Sequence, residues 1–175
     1  DQATALGIEI ESRKVLMSRE TEYAYFTNTQ KLTAGLNLAY MDTNQDLNGA
    51  KVFQEAGLSF DPTYSSTGIT GASDLVANVD ISFYKDFKEH KNVLITLAAN
   101  YFSDRIFALG NFGKGNIVEK GVPTLDFVAK SQITKQLSIG LSAKNLLNPS
   151  IERFQEAVDG DVNPIRDRIQ EQATT

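Results

Sequence analysis

The side chains best suited to chemistry are few in this sequence and lie far apart. The only histidine, His90, lies in the charged run Lys88-Glu89-His90-Lys91, and the chain contains no cysteine. A metal site or a general base needs neighbouring ligands or a partner group, and neither is evident near His90. We therefore interpret His90 as a solvated turn residue. The absence of cysteine also excludes a disulfide framework and a thiolate metal site.

Two polar segments resemble ligand-binding loops only in part. The segment 42–49, Asp-Thr-Asn-Gln-Asp-Leu-Asn-Gly, has the oxygen-rich character of a calcium loop. A calcium loop, however, requires glycine at the sixth position and glutamate at the twelfth, where this chain has Leu47 and Phe53. We interpret the segment as a polar loop. Three closely spaced glycines lack the order of a phosphate cradle and instead predict a tightly packed loop: Gly110, Gly113 and Gly115.

Composition and charge narrow the class of protein further. The net charge is −5 and no run of Lys or Arg is longer than two residues, so we expect no nucleic-acid partner. Serine and threonine are plentiful, but a nucleophile needs an adjacent base and none stands out. We predict that the protein is not an enzyme and has no cofactor. One further pair, Asp104-Arg105, follows two aromatic residues at a strand end, and we predict that it shapes the base of a loop or contacts a ligand there.

Period-two alternation of apolar and polar residues is the strongest pattern in the chain, and it predicts β-strands with two different faces. In one strand, for example, Leu75, Ala77, Val79, Ile81 and Phe83 alternate with more polar residues. The pattern predicts six strands, near residues 4–11, 31–41, 74–85, 92–103, 123–133 and 136–145.

The connections between these strands differ in length in a regular way. Two links are short, at 85–91 and 134–136, and they alternate with two long ones, near 41–73 and 103–123. Short turns on one side and long loops on the other are typical of transmembrane β-barrels. We therefore predict an all-β, antiparallel meander of about six strands within residues 1–156, forming part of a transmembrane barrel.

Two segments do not fit this scheme. The first link, 12–31, is longer than the short turns, and its stretch 22–26 has no evident place. The end of the chain, 157–175, shows no alternation and predicts a polar tail with a loop or short helix.

A barrel gives each face of these strands a different neighbour. The alternate polar side chains are predicted to face the lumen, where they contact a plug or line a solute path: Asn37, Asn78, Asp80, Thr96, Asn100, Asp126, Lys130 and Gln132. The alternate apolar side chains are predicted to face lipid: Leu36, Leu38, Val79, Ile81, Ile95, Leu97, Phe127 and Ile139.

The second half of the chain resembles a known family. The motifs are Asn-Tyr-Phe-Ser-Asp-Arg-Ile-Phe-Ala-Leu-Gly at 100–110, Gly-Lys-Gly-Asn at 113–116, Gly-Val-Pro-Thr-Leu-Asp-Phe at 121–127 and Ala-Lys-Asn-Leu-Leu-Asn-Pro at 143–149. In this order they resemble the C-terminal barrel strands of Bacteroidetes-type TonB-dependent receptors, over about residues 68–156.

The resemblance implies a 22-stranded barrel in the outer membrane of a Gram-negative cell, closed by a plug domain. It implies import of a scarce nutrient such as an iron chelate, a vitamin or an oligosaccharide. The implied partners are the lipid bilayer, the remaining barrel strands, the plug and, through an N-terminal region absent from this sequence, TonB. The family also has a last strand ending in an aromatic residue after its "NP" turn, whereas this chain continues into the polar segment 157–175.

Two other functions remain open on the sequence alone. One is a secreted or periplasmic β-rich binding module, in which the apolar stripes pack into an internal core. The other is a structural subunit that completes its sheet with a partner chain. In a soluble binding module the apolar side chains would be buried in protein, whereas in a membrane barrel they would face lipid.

Overall fold

The computed structural model describes residues 2–47, 57, 61–87, 90–158 and 164–165. Within these ranges every regular element is a β-strand, and no helix is long and apolar enough to cross a membrane. The all-β class and the antiparallel meander predicted from the sequence are confirmed.

The main sheet contains seven strands. Their bounds are Ala3–Tyr23 for β1, Phe26–Asp46 for β2, Ser66–Thr67 for β3, Leu75–Asp86 for β4, Asn92–Phe102 for β5, Pro123–Gln132 for β8 and Ser138–Ala143 for β9. Six of them form a continuous antiparallel path in the order β1-β2-β4-β5-β8-β9, and the short strand β3 pairs with the end of β2.

The first two strands are much longer than the predicted ranges 4–11 and 31–41, and the predicted link at 12–31 is wrong. β1 and β2 each have 21 residues and are joined by the two-residue turn Ala24-Tyr25. A register shift between Val15 and Met17 changes which positions face each side, so the alternation is interrupted there. Beyond the shift both faces carry polar side chains, and strand pairing continues without the amphipathic pattern that would reveal it.

The interpretation of 42–49 as a polar loop is also wrong for its first part. Residues 42–46 continue β2, paired with β1 from Ala3 to Leu6. Here too both faces of the strand are polar, so only its backbone pairing, with β1 and with β3, marks the strand. Residues 48 and 49 lie outside the described ranges.

Tight turns and long loops lie at opposite ends of the sheet. The β1–β2 turn lies at the end of the sheet where β4 meets β5, because Gln30 pairs with Lys85. The β8–β9 turn is at this end as well, because Gln132 pairs with Asn92 and Ser138. The connections from β2 to β4 and from β5 to β8 lie at the other end. We call these the short-turn end and the loop end.

The loop end has further strands that the sequence did not predict, in the β5–β8 connection and after β9. β6 (Arg105–Ala108), β7 (Ile117–Glu119) and β10 (Arg153–Gln155) form a three-stranded sheet, which we call the cap. Two more short strands, β11 (Ala157–Val158) and β12 (Pro164–Ile165), form an antiparallel pair, so part of the predicted polar tail is β-structure. The other residues from 159 onward lie outside the described ranges.

The main sheet is a single layer with two open edges. In the described chain, β1 and β9 each have one neighbouring strand in this sheet, so it does not close on itself. Val118, in the cap, is the one buried hydrophobic residue in the described ranges, and no large side chain there is fully buried. The six-stranded meander therefore has no core of its own.

The extended hairpin gives a direct test of the register, since the natural chain has no cysteine. Glu20 lies opposite Thr29, and opposite residues of antiparallel strands have Cα atoms about 4.5–5.5 Å apart, within disulfide range. We expect the variant with Glu20→Cys and Thr29→Cys to form an intramolecular disulfide under mild oxidation, detected by mass spectrometry. The control, Glu20→Cys with Asn28→Cys, places the thiols on opposite faces and should stay reduced. Equal oxidation of both variants would rule out the hairpin.

Candidate functional site

The register of the main sheet collects the apolar side chains on one face. Leu36 lies opposite Val79, Ala34 opposite Ile81, and Ile81 in turn opposite Leu97. This surface, which we call the apolar face, carries all eight residues predicted to face lipid: Leu36, Leu38, Val79, Ile81, Ile95, Leu97, Phe127 and Ile139.

The apolar face is uncovered. Val79, Ile81 and Leu97 retain 44%, 47% and 43% of their accessible surface although they lie in the middle of the sheet. Large side chains of this face that are exposed in the same way include Ile8, Ile10, Leu36, Leu38, Tyr40, Val79, Ile81, Ile95, Leu97, Tyr101, Ile139 and Leu141. Leaving about half of each in water forfeits on the order of 10 kcal/mol, which equals the whole stability of a typical domain. This face therefore requires an apolar neighbour.

The apolar band does not run straight across the strands. On β1 its residues Ile8 and Ile10 lie opposite Tyr40 and Leu38, towards the loop end. On β9 Ile139 lies opposite Ser131, near the short-turn end. The band thus slides along the strands from one edge of the sheet to the other, as it does where strands are tilted relative to a flat apolar layer.

The opposite surface, the polar face, is linked by hydrogen bonds between strands. The Asn78 side-chain amide donates to Asn37 Oδ1 at 3.3 Å, and the Asn100 amide donates to Thr124 Oγ1 at the same distance. Ser82 and Thr96 share a hydrogen bond of 2.9 Å. All eight residues predicted to face a lumen are on this face: Asn37, Asn78, Asp80, Thr96, Asn100, Asp126, Lys130 and Gln132.

An ion pair on the polar face spans three strands. Arg13 on β1 and Asp80 on β4 lie on either side of β2, where Gly35 stands opposite both. Arg13 Nη2 donates to Asp80 Oδ1 at 3.0 Å. A Cβ atom at Gly35 would collide with Asp80 Oδ1 and lie 3.0 Å from Arg13 Nη2. Glycine at this position is thus what allows the two side chains to meet.

The cap is held by one buried carboxylate between two arginines. Glu119 on β7 is 7% exposed and accepts hydrogen bonds from both neighbouring strands of the cap. Arg105 Nε donates to Oε1 at 3.0 Å, and Arg153 donates to Oε2 from Nε at 2.9 Å and from Nη2 at 2.7 Å. The Arg153 guanidinium also lies 3.7 Å from the centre of the Phe107 ring. Such forked charged hydrogen bonds are among the strongest in proteins.

The electrostatic setting of Glu119 follows from these contacts. Burial alone raises the pKa of a carboxyl group, but the hydrogen bonds and positive charges of Arg153 and Arg105 outweigh it, so the pKa of Glu119 lies below its ordinary value of 4.5. The Glu119 carboxyl group is therefore ionised at neutral pH, and this charged form stabilises the cap.

The loop-base residues and the glycines predicted from the sequence also belong to the cap region. Asp104 Oδ1 accepts a hydrogen bond from the Gly121 amide at 2.8 Å. This bond links the beginning of the β5–β8 connection to its end. Arg105 contacts Glu119, as described above. Gly115 packs so closely on the backbone of Glu156 that any Cβ would collide, in agreement with the tightly packed loop predicted there.

Several residues of these networks were missed by the sequence analysis. Arg13 lies in the segment that was interpreted as a link, and Glu119 and Arg153 are 34 positions apart in the chain. These residues share no local sequence motif, because strands that are far apart in the sequence must pair before their side chains meet. The glycine at 35 in an otherwise regular strand was the one available signal of a close approach.

The residues considered for chemistry in the sequence lie apart from one another in the described part of the chain. His90 is exposed in the β4–β5 turn with a positive φ of 63°. No group of three or more His, Asp or Glu residues within the described ranges is arranged to hold a metal ion. The features with a functional geometry are the uncovered apolar face, the hydrogen-bonded polar face and the cap.

Comparison of the chain with protein families, with curated proteins and with solved structures finds no match in any of the three.

The Glu119 contacts predict a pH-dependent cap. Glu119→Gln should remove the charged hydrogen bonds, at a cost of about 1–2 kcal/mol after allowance for the partly exposed arginines. Amide hydrogen exchange in β6, β7 and β10 should then be about tenfold faster at neutral pH. Because the pKa of Glu119 is lowered in the folded protein, its stabilising effect is present above about pH 4.5 and is lost as the pH falls below that value. The exchange rates of the two proteins should therefore converge in acid.

The matched control is Glu152→Gln, because Glu152 contacts Lys120 at 3.7 Å and both side chains are more exposed. Exchange in the cap should change little in this variant. Unchanged amide hydrogen exchange in the cap of the Glu119→Gln variant at neutral pH would contradict the role assigned to Glu119.

Proposed function

We propose that this chain is part of an outer-membrane β-barrel, and that the barrel is a transporter of the TonB-dependent type that imports a scarce nutrient. The observation that carries the proposal is the uncovered apolar face, with polar side chains hydrogen-bonded on the reverse. In water such a face needs a covering layer, and the described sheet has none. In a barrel, lipid is that layer and the polar face lines the lumen.

The dimensions of the sheet support a membrane-spanning role. β4, β5 and β8 have 12, 11 and 10 residues, and a tilted strand crosses the apolar layer of a membrane in about 9–11 residues. The sliding of the apolar band across the sheet is what strand tilt produces. The longer strands β1 and β2 extend past the band at both ends.

The placement of the connections supports an orientation. All three tight turns lie at one end and the long connections at the other, which is the arrangement of bacterial barrels with periplasmic turns and external loops. In this orientation the cap, with Glu119 and its two arginines, lies on the outer side.

The open edges define the partners. The backbone groups along the free sides of β1 and β9 need hydrogen bonds inside a membrane, where each unpaired group costs several kcal/mol. We infer that further strands pair with both edges and close the barrel. The polar face then contacts a plug domain in the lumen, and TonB acts through that domain.

The narrower assignment to TonB-dependent receptors rests on the motifs at 100–110, 113–116, 121–127 and 143–149. The structure gives these segments distinct places: the first runs from β5 into the cap, and the last follows β9. The nutrient class, an iron chelate, a vitamin or an oligosaccharide, follows from the resemblance alone.

The two other functions are less well supported. A soluble binding module needs an internal core, and the described sheet buries none of its large apolar side chains fully. A structural subunit that adds partner strands to its edges agrees with the open sheet, but leaves the apolar face uncovered unless the partner also forms a second layer.

Arginine substitutions on the two faces test the membrane assignment. Val79→Arg and Leu97→Arg place a charge in the middle of the apolar band, where the cost in a bilayer is about 2–4 kcal/mol. We expect both to reduce sharply the amount of folded protein in the outer-membrane fraction of cells producing the complete protein. The matched controls, Asn78→Arg and Thr96→Arg, are on the polar face and should assemble far better. Equal loss from both faces would point to a packed soluble core and would contradict the proposal.

A further inference from the structure

A cavity of about 600 Å³ opens at the short-turn end of the sheet. It is lined by residues of β1, β2, β5 and β8 and of the β4–β5 and β8–β9 turns, including Tyr23, Phe26, Asn28, Phe87, Lys91 and Ile133. The Tyr23 and Phe26 rings are stacked, with centroids 4.5 Å apart. The cavity thus combines aromatic walls with a cation, which is an arrangement suited to a ligand with both apolar and anionic parts.

The cavity lies at the rim of the apolar band. Phe83 and Val93 are the last apolar positions of β4 and β5 towards this end. Two residues closer to the end there is a lysine in each case: Lys85 after Phe83, and Lys91 before Val93. Lys85 Nζ is 4.9 Å from the centre of the Phe87 ring. Two ammonium groups therefore stand where the apolar surface ends.

The described charged residues on the apolar face at this end are basic. Arg19 pairs with Gln30 and is in register with the apolar face, together with Lys85. Glu20 and Glu22 are opposite Thr29 and Thr27 and so belong to the polar face. Among the described residues that line the cavity, none is Asp or Glu. The described charges of the apolar face at this rim therefore attract an anion.

One buried acceptor in the cavity lacks a partner. Asn28 Oδ1 is shielded from solvent and has no hydrogen-bond partner among the described residues. A buried acceptor without a donor is costly, so a ligand that brings a hydroxyl hydrogen would remove that cost. A ligand suited to this site therefore carries an anionic group for Lys85 and Lys91 and, close to it, a hydrogen-bond donor for Asn28 Oδ1.

We propose that this cavity binds the headgroup of an anionic glycerophospholipid, with phosphate at Lys85 and Lys91 and a headgroup hydroxyl donating to Asn28 Oδ1. The acyl chains then extend over the adjacent apolar band. This inference rests on the proposed function, since it requires the apolar face to lie in lipid. It adds a defined lipid site to that face, in the leaflet on the short-turn side.

The test uses the complete protein, purified from cells in detergent and inserted into vesicles of phosphatidylcholine with or without phosphatidylglycerol. Native mass spectrometry then counts the phosphatidylglycerol and phosphatidylcholine molecules that stay bound. Each lysine near an anionic lipid is expected to contribute about a fivefold preference. The unchanged protein should therefore retain phosphatidylglycerol preferentially, and the variant with Lys85→Gln and Lys91→Gln should lose most of that preference.

The matched control is Lys130→Gln, which removes the same charge from the polar face and should keep the preference. If the double variant fails to insert, Lys85→Gln and Lys91→Gln are measured separately, and each should lower the preference about fivefold. Asn28→Leu should lower retention of phosphatidylglycerol without affecting insertion.

The outcomes separate this inference from the proposed function. Insertion with equal retention of both lipids, or a preference that persists in the double variant, overturns the lipid site and leaves the membrane assignment intact. Displacement of the bound lipid by millimolar inorganic phosphate would show a site for free phosphate and would also overturn it. Failure of the unchanged protein to insert into either vesicle would overturn the proposed function itself.

Discussion

The structure depends on a single constraint: six strands place their apolar side chains on one side of a sheet that has no second layer. Hydrogen bonds between strands hold the sheet together, and the cross-strand pairs on the polar face fix its register. Neither supplies the free energy that a core normally provides. What covers the apolar face therefore decides whether this chain is stable, and in the proposed barrel the cover is lipid.

The polar face and the cap show how the remaining polar groups are accommodated. Arg13 and Asp80 meet across Gly35 and so tie β1 to β4 through the strand between them. Glu119 joins both outer strands of the cap through Arg105 and Arg153. All three ion pairs connect different strands, so they fix the relative positions of strands and loops and do not merely stabilise a local turn.

The sequence predicted the parts of the fold where the two faces of a strand differ in polarity. The alternation across β4, β5 and β8 locates these strands within one or two residues of their observed bounds. It failed where both faces are polar, beyond Met17 on β1 and beyond Met41 on β2, because strand pairing there leaves no periodic signal. The contacts of Glu119 with Arg105 and Arg153 were not predictable either, because their pairing depends on a long-range arrangement of loops.

Site-directed spin labelling along β4 tests the central claim most directly, and residues 1–175 contain no cysteine that would take up the label. Labels at Val79 and Ile81 are compared with labels at Asn78 and Ser82 in the complete protein reconstituted in a bilayer. The account predicts high collision rates with oxygen at Val79 and Ile81, because these positions contact lipid tails, and low rates at the two polar positions. Labels at Val79 and Ile81 that are shielded from oxygen and from a water-soluble nickel complex alike would place the apolar face beneath protein and contradict the account.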